Sequence, residues 1–418
     1  MDKHAKITIL SFLVIVGFAC AAGYHYARGA YLSQPYPQNT FLFLPAVHGT
    51  DFQDVVRDGR TLSPYLDYSS AQYPFLALVG FVFSLIPKYG ETAFLVLVSV
   101  AFLLLSMASL RLADWRSSAT HVFVIAFLSY PFLIAVDRAN FELLVFVLLL
   151  AFMSCFARGQ YGWSAILLGL AIALKLYPVV LLALYIPAKH VRAALLSLAV
   201  AAVATLGSLL FFEGGLWENV SFLLQGSNVR SNSLFLEFTC FSSNMVQRGV
   251  SLLTFLKVIS IETGFIRGMG DALFMSRYLI SSALVGAAAL AYSVFIEREL
   301  WRRVTILVLV MLLLPPISAD YKLLLIYLPL YLFVNSERRS RLDAAFLAVF
   351  GLLLVPKSYY YLPTVISDVL NVRDISIAVP ANITLLIALS LLIGIPGLVD
   401  RCRHLRKAPA PPEVESTA

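Results

Sequence analysis

Acidic side chains gather in this chain where there is little room for charge. Asp51, Asp54 and Asp58 lie with Tyr65 and Tyr73 on a polar, aromatic stretch between two apolar runs. Asp137, Arg138 and Asn140 form a charged knot between two further apolar segments, and Lys175 interrupts another. Pro315 and Pro316 stand ahead of Asp320 and Lys322. A carboxylate within reach of a hydroxyl is a general base, and guanidinium or ammonium groups hold phosphate and other anions. Burying Lys, Arg or Asp in a bilayer costs at least ~2.5 to 3.5 kcal/mol, so these groups should line a polar cavity or pair with one another. The layout is that expected of an enzyme handling lipid-linked substrates at a membrane face. The bland alternatives are a helix N-cap or solvated loop acid for Asp51, an ion pair closing a turn for Asp137 and Arg138, and a snorkelling side chain for Lys175.

The elements that must position these residues are membrane helices. Hydrophobic residues make up 60% of the 418 and charged ones 13%, with a mean hydropathy of +0.84, which excludes a water-soluble globular chain. The net charge of +7 does not point to nucleic acid, because the basic residues sit in short clusters between apolar runs. Cys20, Cys155, Cys240 and Cys402 form no CxxC pair, so neither a zinc site nor a disulfide framework is expected, and no cofactor is implied. Apolar segments are predicted near 7–25, 74–87, 93–110, 120–136, 141–157, 162–187, 191–212, 276–297, 302–317, 321–334, 343–356 and 380–399. Several fall short of the ~20 residues that cross ~30 Å of hydrocarbon, so broken or re-entrant pieces are expected.

Charge parity gives an orientation. With Lys3 and Lys6 in the cytoplasm, the loop around Asp51 lies outside. Counting 74–87 as a full span would put Arg111 and Arg116 outside too, so that segment is expected to be re-entrant. The 162–187 run, broken at Lys175-Leu176-Tyr177-Pro178, is expected to be a hairpin dipping into the membrane. Arg302 and Arg339 then face the cytoplasm, while 26–73, 213–249 and 357–379 are outer loops that bring Asp51, Asp137 and Asp320 to one side. The expectation is a single all-α membrane domain over 1–400 with about 10 to 13 transmembrane helices, and a basic, then disordered, cytoplasmic tail over 401–418.

Taken in order, Asp51-Phe52, Pro64-Tyr65, Tyr73-Pro74, Arg138-Ala139-Asn140-Phe141-Glu142 and Leu174-Lys175-Leu176-Tyr177-Pro178 resemble glycosyltransferase family 87 of bacterial membrane enzymes, over roughly residues 1–335. The resemblance implies the GT-C architecture, with the catalytic acid early in the first external loop, at Asp51. It implies a polyprenyl-phosphate sugar as donor, mannose being the best known, a lipid-linked or glycan acceptor, and a site on the outer face of the bacterial cytoplasmic membrane among membrane lipids. Asp54, Tyr65, Tyr73, Asp137, Arg138, Asn140, Lys175, Asp320 and Lys322 are the candidate substrate-binding residues. The family commonly has glycine where Ala139 stands, and relatives often carry a histidine near Tyr321 and Lys322.

A lipid phosphate is already a good leaving group, so one carboxylate and a set of cations suffice, and a single displacement inverts the anomeric carbon. Two other classes fit parts of the pattern. A secondary transporter would also have broken apolar segments and intramembrane charge, but no inverted repeat is visible. A lipid-linked oligosaccharide flippase or polymerase would handle the same carriers, but usually depends on arginines in large external loops.

Overall fold

The computed structural model describes residues 1–43, 45–65, 73–86, 88–110, 115–234, 248–263, 272–338, 340–362 and 375–406. Arg111, Arg339, the tail beyond 406 and parts of the expected outer loops lie outside these residues. Nearly all described secondary structure is helical, apart from a two-stranded antiparallel pair, Tyr361–Leu362 with Ile375–Ser376.

Helix α1 (Lys3–Ala30) begins at Asp2, whose side chain accepts a hydrogen bond from the Ala5 amide at 2.8 Å. Its 28 residues span about 42 Å at ~1.5 Å per residue, more than the hydrocarbon thickness. Lys6 near its start is fully buried, donating to the Phe333 carbonyl at 3.2 Å and pairing with Asp343 at 3.8 Å. The Met1 ammonium meets the same carboxylate at 3.0 Å. At the other end of α1, the Tyr24 hydroxyl donates to the Tyr359 carbonyl at 2.6 Å, and Tyr361 donates to that of Pro37 at 2.9 Å. The first loop and the 355–362 segment therefore share the face opposite Lys6.

Helix α2 (Thr50–Arg60) carries Asp51 in its first turn and buries Phe52, Val55 and Gly59. It crosses α3 (Pro74–Ser84) at very short range: a Cβ on Gly59 would strike the backbone at Ala77, and one on Gly80 the carbonyl of Val55. Only glycine permits that approach. At 11 residues α3 reaches about 16 Å, about half the ~30 Å of hydrocarbon. Phe52 stacks on Phe141 at 5.6 Å and meets Phe94 at 5.5 Å, so its ring clamps α2 to α4 (Gly90–Leu110) and to the start of α7 (Glu142–Ala157).

Helix α5 (Trp115–Phe127) meets α6 (Tyr130–Asp137) at a 63° bend, where Pro131 opens the second helix. After α6 the chain turns through Ala139, at φ +46°, into α7. Helix α8 (Tyr161–Leu174) stops where Lys175 becomes extended, and a 3-10 segment, Tyr177–Tyr185, follows Pro178 before α9 (Val191–Phe211). The core packs around Phe102, whose ring contacts Phe132 at 5.2 Å, Phe146 at 5.2 Å and Tyr327 at 5.4 Å.

Among the described residues, five helices are long and apolar enough to cross a membrane, or six if the bent pair is one span. The sequence segments expected to give 10 to 13 transmembrane helices include shorter pieces such as Pro74–Ser84, Glu142–Ala157, Tyr161–Leu174 and Asp343–Leu354. The chain is a polytopic, nearly all-α membrane protein.

Candidate active site

One distant segment, the 138–140 turn, grips Asp51. Arg138 donates through Nη2 to Asp51 Oδ1, and Asn140 donates through Nδ2 to Oδ2 at 2.5 Å. Arg138 Nη1 also donates to the Val47 carbonyl at 3.1 Å, fixing the short 3-10 turn that leads into α2. Gly49 makes the entry possible: its φ is +67°, and a side chain there would collide with the carboxylate of Glu91. The Asp51 side chain is 20% exposed, so its carboxylate is held from inside yet still reaches solvent.

Ala139 explains how Arg138 and Asn140 both reach that carboxylate. The left-handed turn at φ +46° ends α6 and brings the two side chains on either side of it to one target. Glycine adopts this conformation freely; alanine costs roughly 1–2 kcal/mol more.

A second cluster lies on the far side of Asn140. Its Oδ1 accepts from the Glu142 amide at 2.8 Å, and Tyr321 hydrogen-bonds its side chain. Glu142 is buried; it accepts from Lys175 Nζ at 2.8 Å and from the Tyr177 hydroxyl at 2.5 Å. Lys322 sits over the Tyr177 ring at 4.9 Å and acts electrostatically on Glu142, so two ammonium groups share one carboxylate. The local excess of positive charge suits an anion. Tyr73, 44% exposed, stands at the rim close enough to act on Tyr177.

Asp320 belongs to a third group. It accepts a short hydrogen bond from Tyr130, and Arg248 approaches it at 3.9 Å. Arg248 also donates to the Leu42 carbonyl at 2.8 Å and to the Tyr36 hydroxyl at 3.3 Å, tying the first loop to the 315–322 turn. Phe43 lies between two guanidinium groups, Arg248 at 4.2 Å and Arg138 at 4.9 Å. Lys357 lies 6.0 Å from the Tyr130 ring, and burial pushes its ammonium down to about 7.

Asp137 turns away from Asp51. It accepts from the Phe43 amide at 2.9 Å, and its other oxygen faces His48 at 3.2 Å. Two sequence candidates are not brought to the site. Asp54 is on the outer surface, paired with Arg57 at 3.0 Å one turn along α2. Tyr65 is buried in a separate cluster with Ala77, Leu209 and Phe212, where burial, reinforced by Asp58, pushes its phenol up. The loop places Tyr65 in this cluster under α9.

Glu142, Tyr130, Tyr177, Tyr321 and Arg248 were not singled out for binding roles from sequence. Glu142 had a signal, as an acid opening an otherwise apolar helix; Arg248 had one too, as one of two arginines, with Arg230, in the 213–249 loop expected outside. Among the described residues, no three His, Cys, Asp or Glu side chains come together in a way that could hold a metal ion.

The family model of glycosyltransferase family 87 matches residues 73–316, more than half of the chain. The chain belongs to glycosyltransferase family 87. This family match takes in Tyr73, Asp137, Arg138, Asn140, Glu142, Lys175 and Arg248, while Asp51, Asp320 and Lys322 lie beyond its ends. No curated protein and no solved structure matches the chain. For this family 87 glycosyltransferase, the matched motif residues Arg138 and Asn140 bind the unmatched Asp51 directly.

Proposed function

We propose that this glycosyltransferase moves a sugar, mannose or a related hexose, from a polyprenyl-phosphate donor to a lipid-linked or glycan acceptor at the outer face of the bacterial cytoplasmic membrane. The observation that carries the proposal is the Asp51 carboxylate, held by Arg138 and Asn140 beside two lysines that share Glu142. One group can take a proton, and the others can hold a phosphate.

In the proposed step the acceptor hydroxyl oxygen attacks the anomeric carbon, forming the new glycosidic bond. Its proton passes to Asp51. The bond from the anomeric carbon to the phosphate oxygen breaks, and the polyprenyl phosphate leaves with that electron pair. Lys175 and Lys322, with the outer face of Arg138, stabilise the charge gathering on the leaving phosphate. A single displacement inverts the anomeric configuration. Asn140 and Arg138 orient the base; Tyr73 and Tyr177 form the rim through which the donor enters.

Incubating membranes that contain the protein with radiolabelled polyprenyl-phosphate-mannose tests the assignment. Label should move to a second lipid or glycan, with the opposite anomeric configuration. Accumulation of intact donor or free solute across sealed vesicles, without transfer, would favour the flippase or transporter alternatives instead. Impermeant thiol labelling of single cysteines in intact cells tests the orientation: position 54 should react and position 302 should not.

A further inference from the structure

A cavity of about 770 Å³ opens beside the chain that leads into α2. Tyr36, Asn39, Thr40, Phe43, His48 and Asp137 supply its chemistry. We propose that this cavity binds a neutral sugar ring of the acceptor, a reading that rests on the glycosyl transfer proposed above and gives the acceptor its place.

Charge separates this cavity from the donor side. Among the described residues no lysine or arginine lines it, and the one carboxylate that does, Asp137, would repel a phosphate. The two guanidinium groups flanking Phe43 are engaged by protein groups, Arg138 by Asp51 and the Val47 carbonyl, and Arg248 by Asp320, the Leu42 carbonyl and the Tyr36 hydroxyl. A polyol, by contrast, brings many hydroxyl donors and no charge. Asp137 Oδ1, the exposed Asn39 amide and the Thr40 hydroxyl offer acceptors and donors to it, while the Tyr36 and Phe43 rings offer apolar faces for its C–H groups. The volume lies within the ~300–1,000 Å³ of ordinary small-ligand sites.

The cavity also adjoins the base. The Gly49 amide donates to the Asp137 carbonyl at 3.0 Å, so the cavity wall and the first turn of α2 are joined directly. Asp137 precedes Arg138, which grips Asp51, and His48 lies three residues before Asp51. On this reading a sugar held here presents a hydroxyl toward Asp51 across the first turn of α2.

The test uses full-length protein in lipid nanodiscs, because maltoside detergents carry sugars of their own. Binding of octyl mannoside, octyl glucoside and octyl galactoside is measured by calorimetry, and binding of farnesyl phosphate is measured separately. The wild type should bind at least one octyl glycoside, and Asn39→Trp, which fills the cavity, should weaken that binding at least tenfold while leaving farnesyl phosphate affinity within twofold. Asn39→Ala, which keeps the cavity open, should lose no more than about fivefold. The proposal is overturned if the wild type binds none of the glycosides, if Asn39→Trp binds them normally, or if it weakens both probes in parallel. Glycoside binding that responds as predicted in a protein without transferase activity would support the sugar site and sink the functional assignment alone.

Discussion

Replacing Glu142 with glutamine separates the anion site from the base. The carboxylate accepts from Lys175 at 2.8 Å and Tyr177 at 2.5 Å, with Lys322 acting on it from across the Tyr177 ring. Glutamine keeps the shape and one acceptor oxygen, but leaves two ammonium groups with no shared counter-charge. Breaking a buried ion pair from one side costs ~3–5 kcal/mol. Lys175 keeps 20% of its side-chain exposure, so water recovers part of this and the loss should fall near the lower end, about 3 kcal/mol. The same substitution removes the internal anion that competes with a bound phosphate. Farnesyl phosphate should therefore stabilise Glu142→Gln more than it stabilises the wild type; saturating ligand at about 100 times its Kd contributes ~2.7 kcal/mol. Thermal unfolding in nanodiscs, with and without farnesyl phosphate, reads both effects. If Glu142→Gln unfolds at the wild-type temperature, or farnesyl phosphate protects it less than the wild type, the lysines do not form the phosphate site.

Three further outcomes are expected. Asp51→Asn should lower transfer by ~10²- to 10⁴-fold, or ~3–5 kcal/mol of barrier, without abolishing farnesyl phosphate binding, whereas Asp54→Asn on the outer surface should stay within about twofold; a variant at Asp51 retaining a third of wild-type turnover would show the base to be misassigned. Ala139→Gly should hold stability within about 0.5 kcal/mol of wild type or raise it, since glycine relieves the left-handed turn, while Ala139→Val should cost more than ~2 kcal/mol at this buried φ +46° position; equal losses for both, measured by thermal unfolding, would contradict the backbone account. Lys357 has its ammonium pushed down to about 7 from 10.5 by burial, so below that pH folded and unfolded chains both hold the proton, and between about 7 and 10 the unfolded chain holds more. Stability should accordingly rise with pH through that window in the wild type relative to Lys357→Met, and parallel thermal midpoints across it would refute the assignment.

The membrane class, the all-helical architecture and the breaks at Lys175 and around 74–87 were legible in the sequence, because apolar run length and proline act locally. So were Asp51, Arg138 and Asn140 as a set, through their motifs. Their contacts were not: the grip of Arg138 and Asn140 on one carboxylate depends on the left-handed turn at Ala139 and the stacking of Phe52 on Phe141, 89 positions apart in the chain. Asp54 and Tyr65 share the loop composition of Asp51 yet end up elsewhere, because the close glycine crossing of α2 and α3 sets which way that loop faces. Composition fixes which side chains are costly to bury, whereas only packing decides which of them meet to offset that cost. Arg248 is the clearest case: an isolated arginine in the sequence, it becomes the tie between the first loop and Asp320 only when segments more than 200 residues apart are brought together.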